Sequence, residues 1–152
     1  MVRLSSEPTA SPDELARVTD SLDRWNMETT GVRDYHPIAI FLRDDEDEIR
    51  GGVTGGVWGG WLHIVGLWID DPFRGRGLGR KLVLAAEAEA RTVGARRAFL
   101  ETHSFQAPGL YLKLGYVVFA EIEDYPPGAS EMFLRKDLVD EVASDPGPAP
   151  EA

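Results

Sequence analysis

The 152-residue chain contains no cysteine. That excludes a disulfide framework, a thiolate metal site and a cysteine nucleophile. Histidine occurs only three times, too seldom to expect a metal centre in a chain without thiolates. Long apolar runs are missing as well, since a spanning helix needs roughly 18 apolar residues or more. The longest block, Trp61 to Ile69, is interrupted by His63 and Gly66. The start, Met-Val-Arg-Leu-Ser-Ser-Glu-Pro, carries no run of signal-peptide type. The expectation is therefore a cytoplasmic protein without membrane contact. Basic residues are scarce: 16 against 26 acidic leave a net charge of -10, which argues against a nucleic-acid partner.

What is present is a globular composition, 43% hydrophobic and 28% charged, in a length that suits one domain with its own core. The acidic excess is uneven. Five acids fall in Asp44 to Glu48, between two apolar runs, and read as a solvated hairpin tip. Five more lie between Asp137 and Ala152. Residues 139–152, with Pro146, Pro148 and Pro150, read as a disordered acidic and proline-rich tail that cannot bury enough surface to offset its ordering entropy.

Periodicity gives the order of elements. Val2 to Ser5 reads as a short edge strand. Ser11-Pro12-Asp13-Glu14 is a capping box with proline at the first helical position, and Leu15, Val18, Leu22 and Trp25 continue a helix to about Asn26. Strands follow over Ile38 to Arg43, Ile49 to Trp58 (with Gly51, Gly52, Gly55 and Gly56) and Trp61 to Ile69, an antiparallel meander. A helix after Arg74 places Leu78, Leu82, Ala85, Ala86, Ala90 and Val93 on one stripe, with Glu87 and Arg91 paired outside and Gly94 as its stop. A strand from Arg97 to about Thr102, a short helix from about Ala107 to Leu114, and strands at Tyr116 to Ile122 and Glu131 to Arg135 complete the chain. That order predicts an α+β domain with a mixed sheet and helices on both faces.

The chemistry concentrates in Leu67-Trp68-Ile69-Asp70-Asp71-Pro72-Phe73-Arg74-Gly75-Arg76-Gly77-Leu78-Gly79-Arg80-Lys81. Glycines at 75, 77 and 79 let the backbone approach a ligand closely, and free amides at a helix start suit a phosphate. Arg74, Arg76, Arg80 and Lys81 form a basic island in an acidic chain. A P-loop would need Gly-Lys followed by Ser or Thr, and a dinucleotide fingerprint would need its glycines inside an N-terminal βαβ unit. Neither pattern is met.

Arg74, Gly77 and Gly79 do meet the pattern Arg/Gln-x-x-Gly-x-Gly/Ala, which resembles the diphosphate-binding turn of the GNAT superfamily of N-acetyltransferases. Downstream, Ser104 to Tyr116 is similar to that family's second signature: Ala107, Leu110, Tyr111, Gly115 and Tyr116 agree, and Ser104 stands where an asparagine is usual. The likeness spans about residues 35 to 136. It implies a GNAT domain over residues 1–138, with a twisted, mostly antiparallel sheet of six to seven strands. It also implies acetyl-CoA as the acyl donor, bound along the main chain of Leu67, Trp68 and Ile69 and by Arg74, Gly75, Arg76, Gly77, Leu78, Gly79 and Arg80. Ser104 would replace one side-chain contact to the pantetheine arm.

By the same resemblance, Tyr111 takes the place of the general acid that protonates the leaving thiolate. A backbone amide near Ile69 would face the thioester oxygen, a kind of donor worth about 3 kcal/mol. The strands expected to flank the thioester carry Glu101, His63 and His103, three candidates for the base that relieves the attacking amine of its proton. No metal is expected. Trp25, Tyr35, Trp58, Trp61 and Tyr125 are candidates to line the acceptor pocket, beside their ordinary role as core fillers. The leading reading is direct N-acetylation of a primary amine on a small molecule or peptide. A non-catalytic CoA-binding module and a transferase for protein N-termini or lysines stay open. GNAT domains often pair, so the resemblance also allows a homodimer.

Overall fold

The computed structural model describes residues 2–138, so the expected tail at 139–152 lies outside the described residues. The chain divides between Asp34 and Tyr35 into two compact units. In the first, helix α1 spans Pro12–Thr30. Its start is the expected capping box: the Ser11 hydroxyl accepts from the Glu14 amide at 3.3 Å, and the Ser11 amide donates to the Glu14 carboxylate at 2.8 Å. The helix runs one turn beyond Asn26, because no breaker intervenes before Gly31, which ends it in a left-handed conformation (φ 72°). The strand expected at Val2 to Ser5 is not formed. Residues 2–10 are irregular, with one turn closed by the Ala10 amide on the Glu7 carbonyl, and no neighbouring strand supplies a ladder.

The second unit is a six-stranded sheet with two helices. Strands β1 (His36–Arg43), β2 (Ile49–Trp58) and β3 (Trp61–Ile69) form the meander. Helix α2 (Leu78–Thr92) leads to β4 (Arg97–His103), helix α3 (Pro108–Lys113) to β5 (Val117–Glu123), and β6 (Ser130–Asp137) closes the unit. The spatial order is β1-β2-β3-β4-β6-β5, and only β3 and β4 run parallel. The first hairpin is tied at its acidic tip. Asp44 accepts from the amides of Glu46 and Glu48 and pairs with Arg50 at 2.6 Å, so one of the five acids shapes the turn instead of merely being solvated there.

Both helices of this unit pack into one core on one side of the sheet. Leu82, Val83, Ala86 and Ala90 of α2 and Tyr111 of α3 meet Val53, Leu62, Ile64, Leu100 and Leu134. The buried stripe of α2 is rotated from the one its hydropathy suggests. Leu82, Val83, Ala86, Glu87 and Ala90 are buried, whereas Val93 is 37% exposed. Glu87, expected outside with Arg91, is fully buried. Lys136 Nζ of β6 binds both of its carboxylate oxygens at 2.8 and 2.9 Å, and Arg91 stands 3.7 Å away. A carboxylate can occupy a core position when a cation 49 residues away is brought onto it, and that partnership is invisible to helical periodicity. No helix among the described residues is long and apolar enough to cross a membrane.

Candidate active site

The site begins where the parallel pair comes apart. β3 and β4 are in register from Trp61 opposite Arg97 to Ile64 opposite Leu100, and no pairing follows, although β3 continues to Ile69 and β4 to His103. A bulge marks the fork. On the β2 side Thr54 faces Gly66 and Gly55 faces Ile64, which leaves Val65 as the extra residue. Gly55 is required for this close approach, since a Cβ there would collide with the His63 carbonyl. One edge of the β3 backbone beyond Ile64 thus has no strand to pair with, and Leu67, Trp68 and Ile69 lie along it.

At the far end of β3 the chain makes a short 3-10 turn, Asp71–Phe73, and enters the glycine segment. Gly75 and Gly77 both sit at left-handed φ values, 73° and 72°, that a side chain would strain, and Gly77 is the residue immediately before α2. Gly79 faces α3: a Cβ there would stand 3.2 Å from Leu110 Cδ2. No side chain caps the helix start, so the first-turn amides of Leu78, Gly79 and Arg80 point out of it. Ile69, Arg74, Gly75, Gly77, Leu78, Gly79, Arg80 and Leu110 border a cleft of about 190 Å³. An anion fits this donor set: outward amides, the positive end of a helix dipole and cationic side chains.

The arginines divide their duties. Arg74 donates through Nε to the Ile69 carbonyl at 3.0 Å and pairs with Asp71 at 2.8 Å. Arg76 donates to the Pro72 carbonyl at 2.9 Å and lies over the Phe73 ring. Both guanidinium groups are therefore turned onto their own loop, and Arg74 braces it against the end of β3. Arg80 and Lys81 make no ion pair among the described residues. The sequence pattern grouped all four as one basic island, because composition does not show which way a side chain folds.

Glu101 is the first residue of β4 beyond the last register pair, and His63 Nε2 meets its Oε2 at 2.8 Å. Two of the three base candidates thus form a dyad at the fork, on the sheet face opposite the core. The third, His103, lies two residues on, 4.0 Å from Glu131, stacked on Phe105 and tilted against Tyr125. Tyr111 is buried in α3, edge-on to Tyr116 at 5.9 Å. Burial pushes its phenol above the ordinary value, which keeps it protonated at neutral pH.

Ser104 is engaged elsewhere. Its hydroxyl accepts the Ser130 amide at 3.1 Å and its own amide donates to the Ser130 carbonyl, so it extends the β4–β6 ladder. Gln106, which the sequence reading passed over, fixes the same connection by accepting from the Thr102 hydroxyl and the His103 amide. Its signal was its position one residue before Ala107 in the second motif. Among the aromatic candidates, Trp58 and Trp61 border an open slot with His63, Tyr35 lies against Gly56, and Trp25 lies on α1 in the first unit.

Comparison with known proteins identifies the family and the fold. The model of the acetyltransferase (GNAT) family matches residues 3–116. A blasticidin-S acetyltransferase of Streptomyces morookaense is 40% identical over 116 residues, covering 74% of this chain and 85% of the relative. An acetyltransferase of Agrobacterium fabrum is 29% identical over 78% of this chain and 87% of its own length. Among solved structures, an acetyltransferase from Bacillus cereus superposes with a TM-score of 0.75 at 29% identity, over 90% of this chain and 97% of that one. A Bacillus anthracis structure solved in complex with acetyl coenzyme A shares the fold (TM-score 0.59, 18% identity, 67% of this chain and 62% of that one). The chain belongs to the GNAT family and is an acetyltransferase of that type.

Proposed function

We propose that the chain transfers the acetyl group of acetyl-CoA directly to a primary amine of a small molecule. The observation that carries this reading is the placement of the His63–Glu101 dyad at the fork of β3 and β4, with the glycine cradle at the other end of the same strand. The similarity to a blasticidin-S acetyltransferase supports a small-molecule acceptor.

The amides of Gly77 to Arg80 and the Arg80 side chain would hold the diphosphate, while Arg74 and Arg76 keep the loop in shape. The unpaired backbone of Leu67 to Ile69 would bind the pantetheine arm. Bound there, acetyl-CoA supplies an activated acyl carbon, so that a C–N bond forms, the C–S bond breaks, the amine gives up one proton and the thiol gains one. Glu101 accepts the proton from the amine, and His63, hydrogen-bonded to it, orients the carboxylate. Tyr111, held in its protonated form by burial, donates on the thiol side. Ser104, with its hydroxyl already accepting from Ser130, contributes through the loop it closes.

The test is release of CoA thiol together with mass detection of the acetylated product, over a panel of amine metabolites, antibiotics and peptides. Turnover of at least one small amine is expected, and Glu101→Gln lowers it by about 100-fold or more with CoA affinity unchanged. Full activity in Glu101→Gln, or no turnover of any amine at saturating acetyl-CoA, would overturn the reading.

A further inference from the structure

The sheet face opposite the core carries, beside the dyad, a slot of about 570 Å³ built mainly from rings. Trp58 and Trp61 come from the β2–β3 hairpin, Phe99 from β4 and Phe119 from β5. Gly56 and Gly59 contribute no side chain to it, and the phenol end of Tyr35 lies where a Gly56 Cβ would stand. The rings are ordered against one another. His63 stacks on Phe99 with centroids 4.2 Å apart and planes within 10°, and Trp61 meets Phe99 edge-on at 6.0 Å. Of the bordering residues, one polar group, Arg135, stands away from the dyad, and Arg97 of β4 lies over the Trp61 ring at 5.4 Å. Arg135 on β6 is directly opposite Phe99, with its guanidinium over the Phe119 ring at 5.8 Å.

Three features define what fits. Ring walls reward a conjugated ring more than an aliphatic one of equal size, because offset and edge-on ring pairs add to simple burial. The Arg135 guanidinium presents only donors, so the part of the occupant that reaches it must accept hydrogen bonds. Phe99 and Glu101 are two residues apart on one face of β4, a spacing of about 7 Å. That spacing sets the reach from a ring over Phe99 to the dyad carboxylate as an arm of a few atoms.

We propose that this slot is the acceptor subsite, taking a flat conjugated ring with a carbonyl or ring nitrogen on its edge, joined by a short flexible arm to the amine that is acetylated. The proposal rests on the acetyl-transfer reading for its amine and on the slot alone for its ring. Trp61 and Phe119 hold the ring, Arg135 selects its edge, and His63 belongs both to the slot and to the dyad.

The experiment compares matched amines: a pyrimidinone ring on an aminoalkyl arm, phenyl and cyclohexyl analogues with the same arm, and the pyrimidinone without its amine. CoA release is measured for the wild type, Trp61→Leu and Arg135→Met. Binding of the amine-free ring is followed by quenching of tryptophan fluorescence without acetyl-CoA, and CoA affinity by calorimetry. The expected order is pyrimidinone, then phenyl, then cyclohexyl. Trp61→Leu should raise KM for the pyrimidinone amine roughly tenfold, about one ring pair's worth, with CoA affinity unchanged. Arg135→Met should erase the difference between pyrimidinone and phenyl. Quenching by the amine-free ring without turnover of any amine would uphold the slot while overturning acetyl transfer. Equal kcat/KM for the cyclohexyl and pyrimidinone amines, an unchanged KM in Trp61→Leu, or sedimentation showing that copies of the chain cover the slot in solution would overturn the proposal.

Discussion

Tyr116 and Tyr111 show how one side chain's surroundings decide its chemistry. Both phenols are buried, and both are pushed above their ordinary value of 10.0, chiefly by loss of solvent. Tyr116 is shifted further, since the Glu87 carboxylate beside it adds to the loss of solvent; its hydroxyl has no partner in good hydrogen-bond geometry. The native state therefore keeps a proton that the unfolded chain releases once pH rises past about 10, so this part of the stability is intact below that pH and declines above it. Urea midpoints between about pH 9 and about pH 11 should fall for the wild type and fall less for Tyr116→Phe. At neutral pH the same variant should be close to wild type in stability, because it removes an unpartnered hydroxyl. For Tyr111→Phe the expected outcome is a drop in kcat of about tenfold to 100-fold with KM for acetyl-CoA nearly constant, read from steady-state kinetics. Tyr111, His63 and Glu101 were nameable from the sequence because a motif or a strand end carried them. Phe99 and Gln106 were not, since their parts depend on a stack across two strands and on a loop that closes over one side chain.

Among the elements, β2 and β3 begin and end where their apolar runs and glycine turns do, and the fork between β3 and β4 follows from their parallel start and the bulge at Val65. Gly55 controls that bulge. A Gly55→Ala side chain would meet the His63 carbonyl, so unfolding in urea should show a loss of about 1–3 kcal/mol or more, together with reduced activity from a displaced dyad. Periodicity misjudged α2 for a different reason. Hydropathy assigns every carboxylate to the outside, whereas Glu87 is held inside by Lys136, a residue that only the completed sheet brings near. Removing the cation alone, as Lys136→Met, should cost about 3–5 kcal/mol, because it strips a buried carboxylate of its closest partner. Replacing both partners, Glu87→Leu with Lys136→Met, should recover much of that loss in the same denaturation assay. The failed strand at Val2 to Ser5 belongs to the same class of error: β propensity without a neighbour does not make a strand.

At the scale of the molecule, a chain of net charge -10 concentrates cations and outward amides at one helix start, at the end of the strand whose beginning supports the dyad. On the proposed reading, binding and chemistry would be carried by the two ends of β3, with the Arg74 contact to Ile69 tying the glycine loop to the far end. A ligand that binds only the folded form stabilises it by mass action, about 2.7 kcal/mol at a concentration 100 times its Kd. For a chain of this size, CoA at that level should raise Tm by roughly 5–10 °C, observable by differential scanning fluorimetry. Raising the salt should weaken this shift, as expected for a diphosphate held by exposed charge.

The decisive measurement is a calorimetric titration of CoA into the wild type and into Gly77→Val, with circular dichroism confirming that the variant is folded. Gly77 lies at φ 72° with no atom within 4 Å of where a Cβ would stand, so the substitution strains the turn without crowding the core. The expected result is one site per chain in the wild type and no measurable binding heat in the folded variant. Equal CoA affinity in the two proteins would contradict the assignment of the diphosphate to this turn, and with it the proposed acetyl transfer.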